Sequence, residues 1–231
     1  MRKEVSVFRP IANRVLRLLF GLLLKIEVVG AGNVPEQGPF IAMMNHIYFL
    51  DPILVAVLAP RFIVIMSKIE NYRNPLLALI MHLYGCFPIR RGELDMSAIR
   101  TSLDVLREGR GLLMAPEGTR SLTKTLQPGR DGMAMIALRS DAAVVPIALS
   151  GQEHLGVTWK RLRRTPVRVV FGKPFCFRPV EGVSHRDQLR QMTREAMYQL
   201  ALLLPPQYRG VYQDVENAST EFLSPCDLAE G

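Results

Sequence analysis

The sequence predicts an α/β fold: a single domain with a mostly parallel central sheet flanked by helices, entered through an N-terminal amphipathic helix. Three observations lead there. Short apolar runs rich in β-branched residues recur along the chain, segments of helical period lie between them, and 231 residues at 48% hydrophobic content suffice to bury one substantial core.

Residues 1–24 form the first unit. A helix from Pro10, a residue tolerated in a first turn, to Leu24 places Arg14, Arg17 and Lys25 on one arc of roughly 80°. Leu16, Leu19, Phe20 and Leu23 then lie opposite, the build of a helix in a membrane interface with its basic face toward headgroups. An ordinary core-packed amphipathic helix is the alternative. The unbroken apolar run covers only residues 18–24, whereas a spanning helix needs about 20 residues. No small-residue cleavage site follows it, which argues against export.

The main unit spans residues 25–204. Residues 26–29, 40–44, 62–66, 86–89, 112–115, 143–149 and 167–171 read as strands, with proline breaking the run that contains Pro146. Met96, Ile99, Leu103 and Leu106 recur at helical spacing, with Asp95 to cap the start and Gly109 to end it. Ser184 and Asp187 open a further helix carrying Leu189, Met192, Ala196 and Leu200, stopped by Pro205-Pro206. Residues 205–231 are polar, acidic and aperiodic and read as a loosely attached, flexible tail.

The net charge of +8 is unevenly distributed, because the segment from Pro205 holds one base, Arg209, against five acids. The remaining body is strongly basic and should attract an anionic membrane surface or substrate. Nucleic acid is not the expected partner, since aromatics are sparse and no helix-turn-helix, zinc-finger or stacking motif occurs. Cys86, Cys176 and Cys226 stand far apart and form no C-x-x-C pair, so neither a disulfide framework nor a cysteine-built metal site is expected, and a reducing compartment is. His82, His154 and His185 have no partner at ligand or catalytic spacing and read as structural.

Chemistry concentrates in loops after strand-like runs. His46 ends the run 40–44 and Asp51 follows five residues later before Pro52. Five residues separate two side chains on either a helix or a strand, so they meet only across a turn. Asp51-Pro52 supplies one, as an N-cap and a first helical residue. A carboxylate holding one ring nitrogen would leave the other as a general base. A second loop, Pro116-Glu117-Gly118-Thr119-Arg120-Ser121, presents a carboxylate, a hydroxyl and a guanidinium suited to bidentate grip on a phosphate monoester; a local Glu117–Arg120 ion pair is the alternative. A third places Arg90 and Arg91 after the run 86–89. In open α/β sheets such loops converge outside the carboxyl ends of the strands.

On these residues the chain resembles the glycerolipid acyltransferase family, best matched by the lysophosphatidic acid (1-acylglycerol-3-phosphate) acyltransferases. His46 and Asp51 match its H-x4-D motif, residues 85–91 resemble its second block, residues 116–121 match its third and Val145-Pro146-Ile147 resembles its fourth. Tyr48 and Ala115 depart from residues common in the family, Ser and Phe, and bear on the acceptor or acyl pocket. The resemblance implies His46 and Asp51 as catalytic residues and Arg90, Arg91, Glu117, Gly118, Thr119 and Arg120 as substrate-binding residues, with no metal and no cofactor beyond acyl-CoA or acyl carrier protein as co-substrate. It further implies a lysophospholipid acceptor, phosphatidic acid as product, and a monotopic or peripheral membrane location with the active site on the cytoplasmic side. Glycerol 3-phosphate or another lipid hydroxyl is the alternative acceptor. A non-catalytic lipid-binding relative and a thioester hydrolase are the competing classes.

Overall fold

The computed structural model describes residues 2–90 and 95–226, so Arg91 lies outside the described residues. Helix α1 (Arg2–Leu23) leads into strand β1 (Leu24–Val29), followed by β2 (Phe40–Met44), α2 (Asp51–Leu58), β3 (Ile63–Lys68), α3 (Pro75–Tyr84) and β4 (Cys86–Ile89). Then come α4 (Met96–Arg107), β5 (Gly111–Met114), α5 (Gly132–Ser140), β6 (Ala143–Ser150), α6 (Leu155–Lys160), β7 (Thr165–Phe171), β8 (Phe175–Phe177), α7 (His185–Leu203) and β9 (Leu223–Pro225). The sheet order is β1-β7-β6-β2-β5-β3-β4, with β8 pairing β6 and β9 pairing β8. Only β7, β8 and β9 introduce antiparallel pairs; β2 runs parallel to both β5 and β6.

Strands β2 and β5 are buried along their whole length and β6 along all but its last residue, because helices cover both faces of a parallel sheet. Gly111 opens β5 because Phe40 on β2 lies across it: a Cβ there would come within 2.4 Å of the Phe40 ring. Pro146 does not break β6. Its carbonyl accepts the Gly172 N–H at 2.8 Å, where the chain leaves β7, so the missing donor falls at a gap in the ladder.

Asp95 caps α4 through its side chain, accepting from Ser97 and Ala98 N–H, and Ser184 caps α7. The first helix departs from expectation. Pro10 stands inside α1 and not at its start; one proline removes one intrahelical bond, and packing of Phe8, Ala12, Leu16, Phe20 and Leu23 on the core carries the helix through it. Arg17, expected on the headgroup-facing side, instead donates to the Val57 carbonyl at the end of α2, at 2.9 and 3.2 Å. Arg9 is buried, bonded to the Ile63 carbonyl at 2.9 Å and stacked 3.8 Å from the Phe62 ring centre. Among its described side chains α1 exposes an apolar stripe, Val7, Ile11, Val15, Leu18 and Leu22, together with Leu19, Arg14 and the partly engaged Arg17. Helix α3 packs beside it with Leu76, Leu79 and Ile80 exposed.

Of the segment expected to be a flexible tail, the described residues 205–226 are held to the body. Tyr208, Tyr212 and Phe222 are buried, Leu126 N–H bonds the Tyr208 carbonyl at 2.9 Å, and Glu195 accepts from the N–H groups of Glu221 and Phe222. Aromatic anchors spaced through a polar segment hold it where periodicity gave no sign. Because β9 runs antiparallel to β8, Cys226 reaches Cys176 and the two form a disulfide with Cα atoms 5.1 Å apart, against the expectation of unpaired cysteines.

Candidate active site

The site begins where β2 ends. The Asn45 amide donates to the Leu149 carbonyl at 2.9 Å and accepts from its N–H at 2.8 Å, extending the β2–β6 ladder with a side chain. His46 therefore leaves the sheet at a fixed point. Its own backbone is gripped twice by the third-motif loop: the N–H donates to Glu117 Oε1 at 3.1 Å, and the carbonyl accepts from Ser121 N–H at 2.7 Å.

Asp51 is fully buried and is not a helix cap; that place belongs to Leu50, and the Asp51 carboxylate folds back over the turn. Its Oδ2 accepts from His46 Nδ1 at 3.0 Å and from the Ile47 and Tyr48 N–H groups at 2.7 Å each. Its Oδ1 accepts from the Gln152 amide at 2.9 Å. An ionised carboxylate only accepts, so this network assigns the proton to Nδ1 and leaves Nε2 with its lone pair. Nε2 makes no hydrogen bond among the described residues.

Glu117, expected among the substrate-binding residues, here braces the loop with both carboxylate oxygens. It is 2% exposed, and its second oxygen accepts from Gln127 N–H at 3.0 Å. Burial pushes its carboxyl up to about 7, against the pull of the Gln127 and His46 N–H donors, with the Asp51 charge adding to the rise. Gly118 turns the loop at φ 72°, and a Cβ there would lie 2.9 Å from Arg130 Cδ. Thr119 and Arg120 are exposed, and the Arg120 guanidinium has no ion pair or hydrogen bond among the described residues, so the Glu117–Arg120 pair does not form. Arg120 follows β5, the neighbour of β2. Arg90 follows the edge strand β4, with β5 and β3 between it and β2. At about 4.8 Å per strand that is roughly 14 Å to the side, so the strand order does not bring Arg90 against His46.

Lys124 is a further cation, outside the motif of residues 116–121. It adopts φ 64°, donates to the Ile47 carbonyl at 2.8 Å and stands 5.7 Å from the Tyr48 ring centre. A shallow cavity of about 450 Å³ opens beside Tyr48, bordered by Glu153, Val157, Lys160 and Arg161. A larger one of about 1310 Å³ lies under α1, bordered by Arg9, Arg61 and Phe62; His46 lines neither cavity. Asn45, Gln152 and Lys124 carried no sequence signal. Each works through a partner that is distant in the chain or through an unusual backbone angle.

Comparison with known proteins identifies the family. The profile of the family described as Acyltransferase matches residues 25–150. A 1-acyl-sn-glycerol-3-phosphate acyltransferase of Chlamydomonas reinhardtii is 30% identical over 80% of this chain and 55% of its own. A lyso-ornithine lipid O-acyltransferase of Pseudomonas aeruginosa is 33% identical over 61% of this chain and 55% of its own. The chain thus spans about half the length of these curated relatives. The crystal structure of the 1-acyl-sn-glycerophosphate acyltransferase from Thermotoga maritima shares the fold, with a TM-score of 0.65 and 22% identity over 94% of this chain and 82% of that one. The profile covers more than half of the chain and the Chlamydomonas relative is matched over most of it: the chain belongs to the acyltransferase family.

Proposed function

We propose that the protein moves a fatty acyl chain from an acyl-CoA or acyl-carrier-protein thioester to the free hydroxyl of 1-acylglycerol 3-phosphate, giving phosphatidic acid. The observation that carries this is the buried His46 Nδ1–Asp51 contact with Nε2 unbonded, one strand from an arginine that is unpaired, both among the described residues. His46 Nε2 takes the hydroxyl proton as the oxygen attacks the thioester carbonyl, and Asp51 stabilises the imidazolium so formed. The carbon–sulfur bond then breaks and the departing thiolate takes the proton from Nε2. Arg120 grips the acceptor phosphate, with Thr119 beside it and Arg90 and Arg91 at the outer rim. The Glu117 brace and the Gly118 turn hold the loop.

The apolar stripe of α1 and the neighbouring exposed face of α3 support a membrane-surface location. No helix among the described residues is long and apolar enough to cross a membrane. Binding through this face, with basic side chains around it, should strengthen with anionic lipid and weaken with salt. The active site faces the cytoplasmic side in this proposal, where acyl thioesters are made.

The lyso-ornithine lipid relative favours a second reading, in which the acceptor carries no phosphate ester. Lipid product analysis separates the two. The purified protein is incubated with a long-chain acyl thioester and lysophosphatidic acid, glycerol 3-phosphate or lyso-ornithine lipid in turn. Phosphatidic acid as main product supports the proposal. His46→Ala should lower turnover about 1,000-fold, the scale of a general base; a tenth of wild-type turnover surviving would remove His46 from that role.

A further inference from the structure

Beyond the site, one exposed surface has a composition that the fold does not require. Helix α6 ends at residues 158–163 in a turn where Leu162 N–H bonds the Trp159 carbonyl at 2.9 Å and Arg163 N–H bonds the Thr158 carbonyl at 3.0 Å. This closure places its left-handed residue at position 162, where glycine or asparagine is usual. The chain has leucine there, at φ 51° and 91% exposed. A branched side chain held in an unfavourable backbone region and pushed into water serves no packing purpose. Beside it stand Trp159, 57% exposed, and Val157, also exposed. Lys160, Arg161, Arg163 and Arg164 complete the turn, and no acidic residue occurs between Glu153 and Glu181.

The patch has a definite position. Val157, Lys160 and Arg161 border the cavity next to Tyr48, two residues from His46. On its other side, Arg164 donates to the Leu24 carbonyl at 2.7 and 3.0 Å, at the foot of α1, where the exposed stripe ends in Leu18 and Leu22. The turn therefore joins the foot of α1 to the cavity beside Tyr48.

We propose that the α6 turn is a second insertion point into an anionic bilayer. Trp159 and Leu162 enter the headgroup–acyl boundary, Lys160, Arg161 and Arg163 meet lipid phosphates, and the His46 site is set against the membrane from which its acceptor comes. The inference rests on the membrane-surface reading above. A protruding apolar tip among cations suits a bilayer, which yields to its shape, better than a folded acidic protein, which would need a matching cavity.

Trp159 is the only tryptophan in the chain, so its fluorescence reports on this turn alone. The full chain is mixed with vesicles of phosphatidylcholine, with and without phosphatidylglycerol, and binding is read separately by sedimentation. With the anionic vesicles, Trp159 emission should shift to the blue, become protected from acrylamide and be quenched by lipids brominated on the acyl chain. Leu162→Asn suits the left-handed position and keeps the turn, yet should weaken vesicle binding about 10-fold or more, the worth of one buried leucine side chain. Sedimentation with vesicles while Trp159 stays in water would overturn this inference and leave the membrane-surface reading standing. No sedimentation at all would overturn both. Protection of Trp159 by an acyl carrier protein but not by vesicles would assign the patch to the donor and overturn the inference.

Discussion

Replacing Asp51 by asparagine separates the charge of this residue from its hydrogen bonds. Oδ2 takes three donors, from His46 Nδ1, Ile47 N and Tyr48 N, and Oδ1 takes one, from Gln152 Nε2. An asparagine with its carbonyl oxygen at the Oδ2 position keeps the first three. Its NH2 group then meets the Gln152 NH2, but Gln152 Oε1 is buried without a partner among the described residues, and a half-turn of that amide restores a donor–acceptor pair. The fold loses charge assistance without losing a bond, a cost on the order of 1–2 kcal/mol given the difference between charged and neutral hydrogen bonds. Catalysis loses more. The tautomer is retained, yet the imidazolium formed in proton transfer is no longer matched by a buried anion, and turnover should fall about 100- to 10,000-fold. The assay is kcat at saturating lysophosphatidic acid and acyl thioester, paired with urea unfolding of the same preparation. A variant keeping a tenth of wild-type kcat would refute the role of the charge. One destabilised by more than about 4 kcal/mol would refute the amide rotation and make Asp51 a structural staple.

Three further outcomes are expected. Arg120→Lys keeps the charge but loses the fork, so kcat/KM should fall roughly 10- to 150-fold with lysophosphatidic acid and far less with an uncharged monoacylglycerol; equal losses would place Arg120 elsewhere. The Glu117 carboxyl rises on folding from its ordinary 4.5 to about 7, so its contribution to stability is full below pH 4.5 and is lost as pH rises through 7. Urea midpoints should record on the order of 3 kcal/mol of that decline in wild type and little of it in Glu117→Gln, which also leaves one of the two backbone donors without an acceptor. Phe222→Ala should cost about 3–5 kcal/mol in thermal or urea unfolding, as for a core phenylalanine; an unchanged midpoint would mean that the C-terminal segment is loosely held after all.

Much of the fold was legible because parallel strands buried on both faces leave a local mark, a continuous apolar run between turn residues. Each of the seven runs read as strands lies on an observed strand, and the capped helices at Asp95 and Ser184 begin where their caps stand. Helix α3 leaves no such mark, because PLLALIMHLY is apolar almost all round and shows no period. Strands β8 and β9 are three residues each and exist through pairing with one another and with β6. No short window holds that information.

The His46–Asp51 pair was visible because its geometry is local: five residues, a proline and a turn leave few ways for a ring and a carboxylate to meet. The sequence by itself therefore determined that His46 and Asp51 meet, and which loops lie around them. Only the tertiary structure decided what those groups touch. Glu117 lies 71 residues from His46, Leu149 lies 104 from Asn45 and Gln152 lies 101 from Asp51. Which of them satisfies which is set by β5 and β6 flanking β2. The same holds for α1, whose sequence offers two apolar stripes and several arginines. The body takes Phe8, Leu16 and Phe20 together with Arg9 and Arg17, and leaves Val7, Ile11 and Leu18 to the solvent. A buried carbonyl or carboxylate accepts whichever donor the fold brings to it, and the identity of that donor is a property of strand order that local periodicity does not encode.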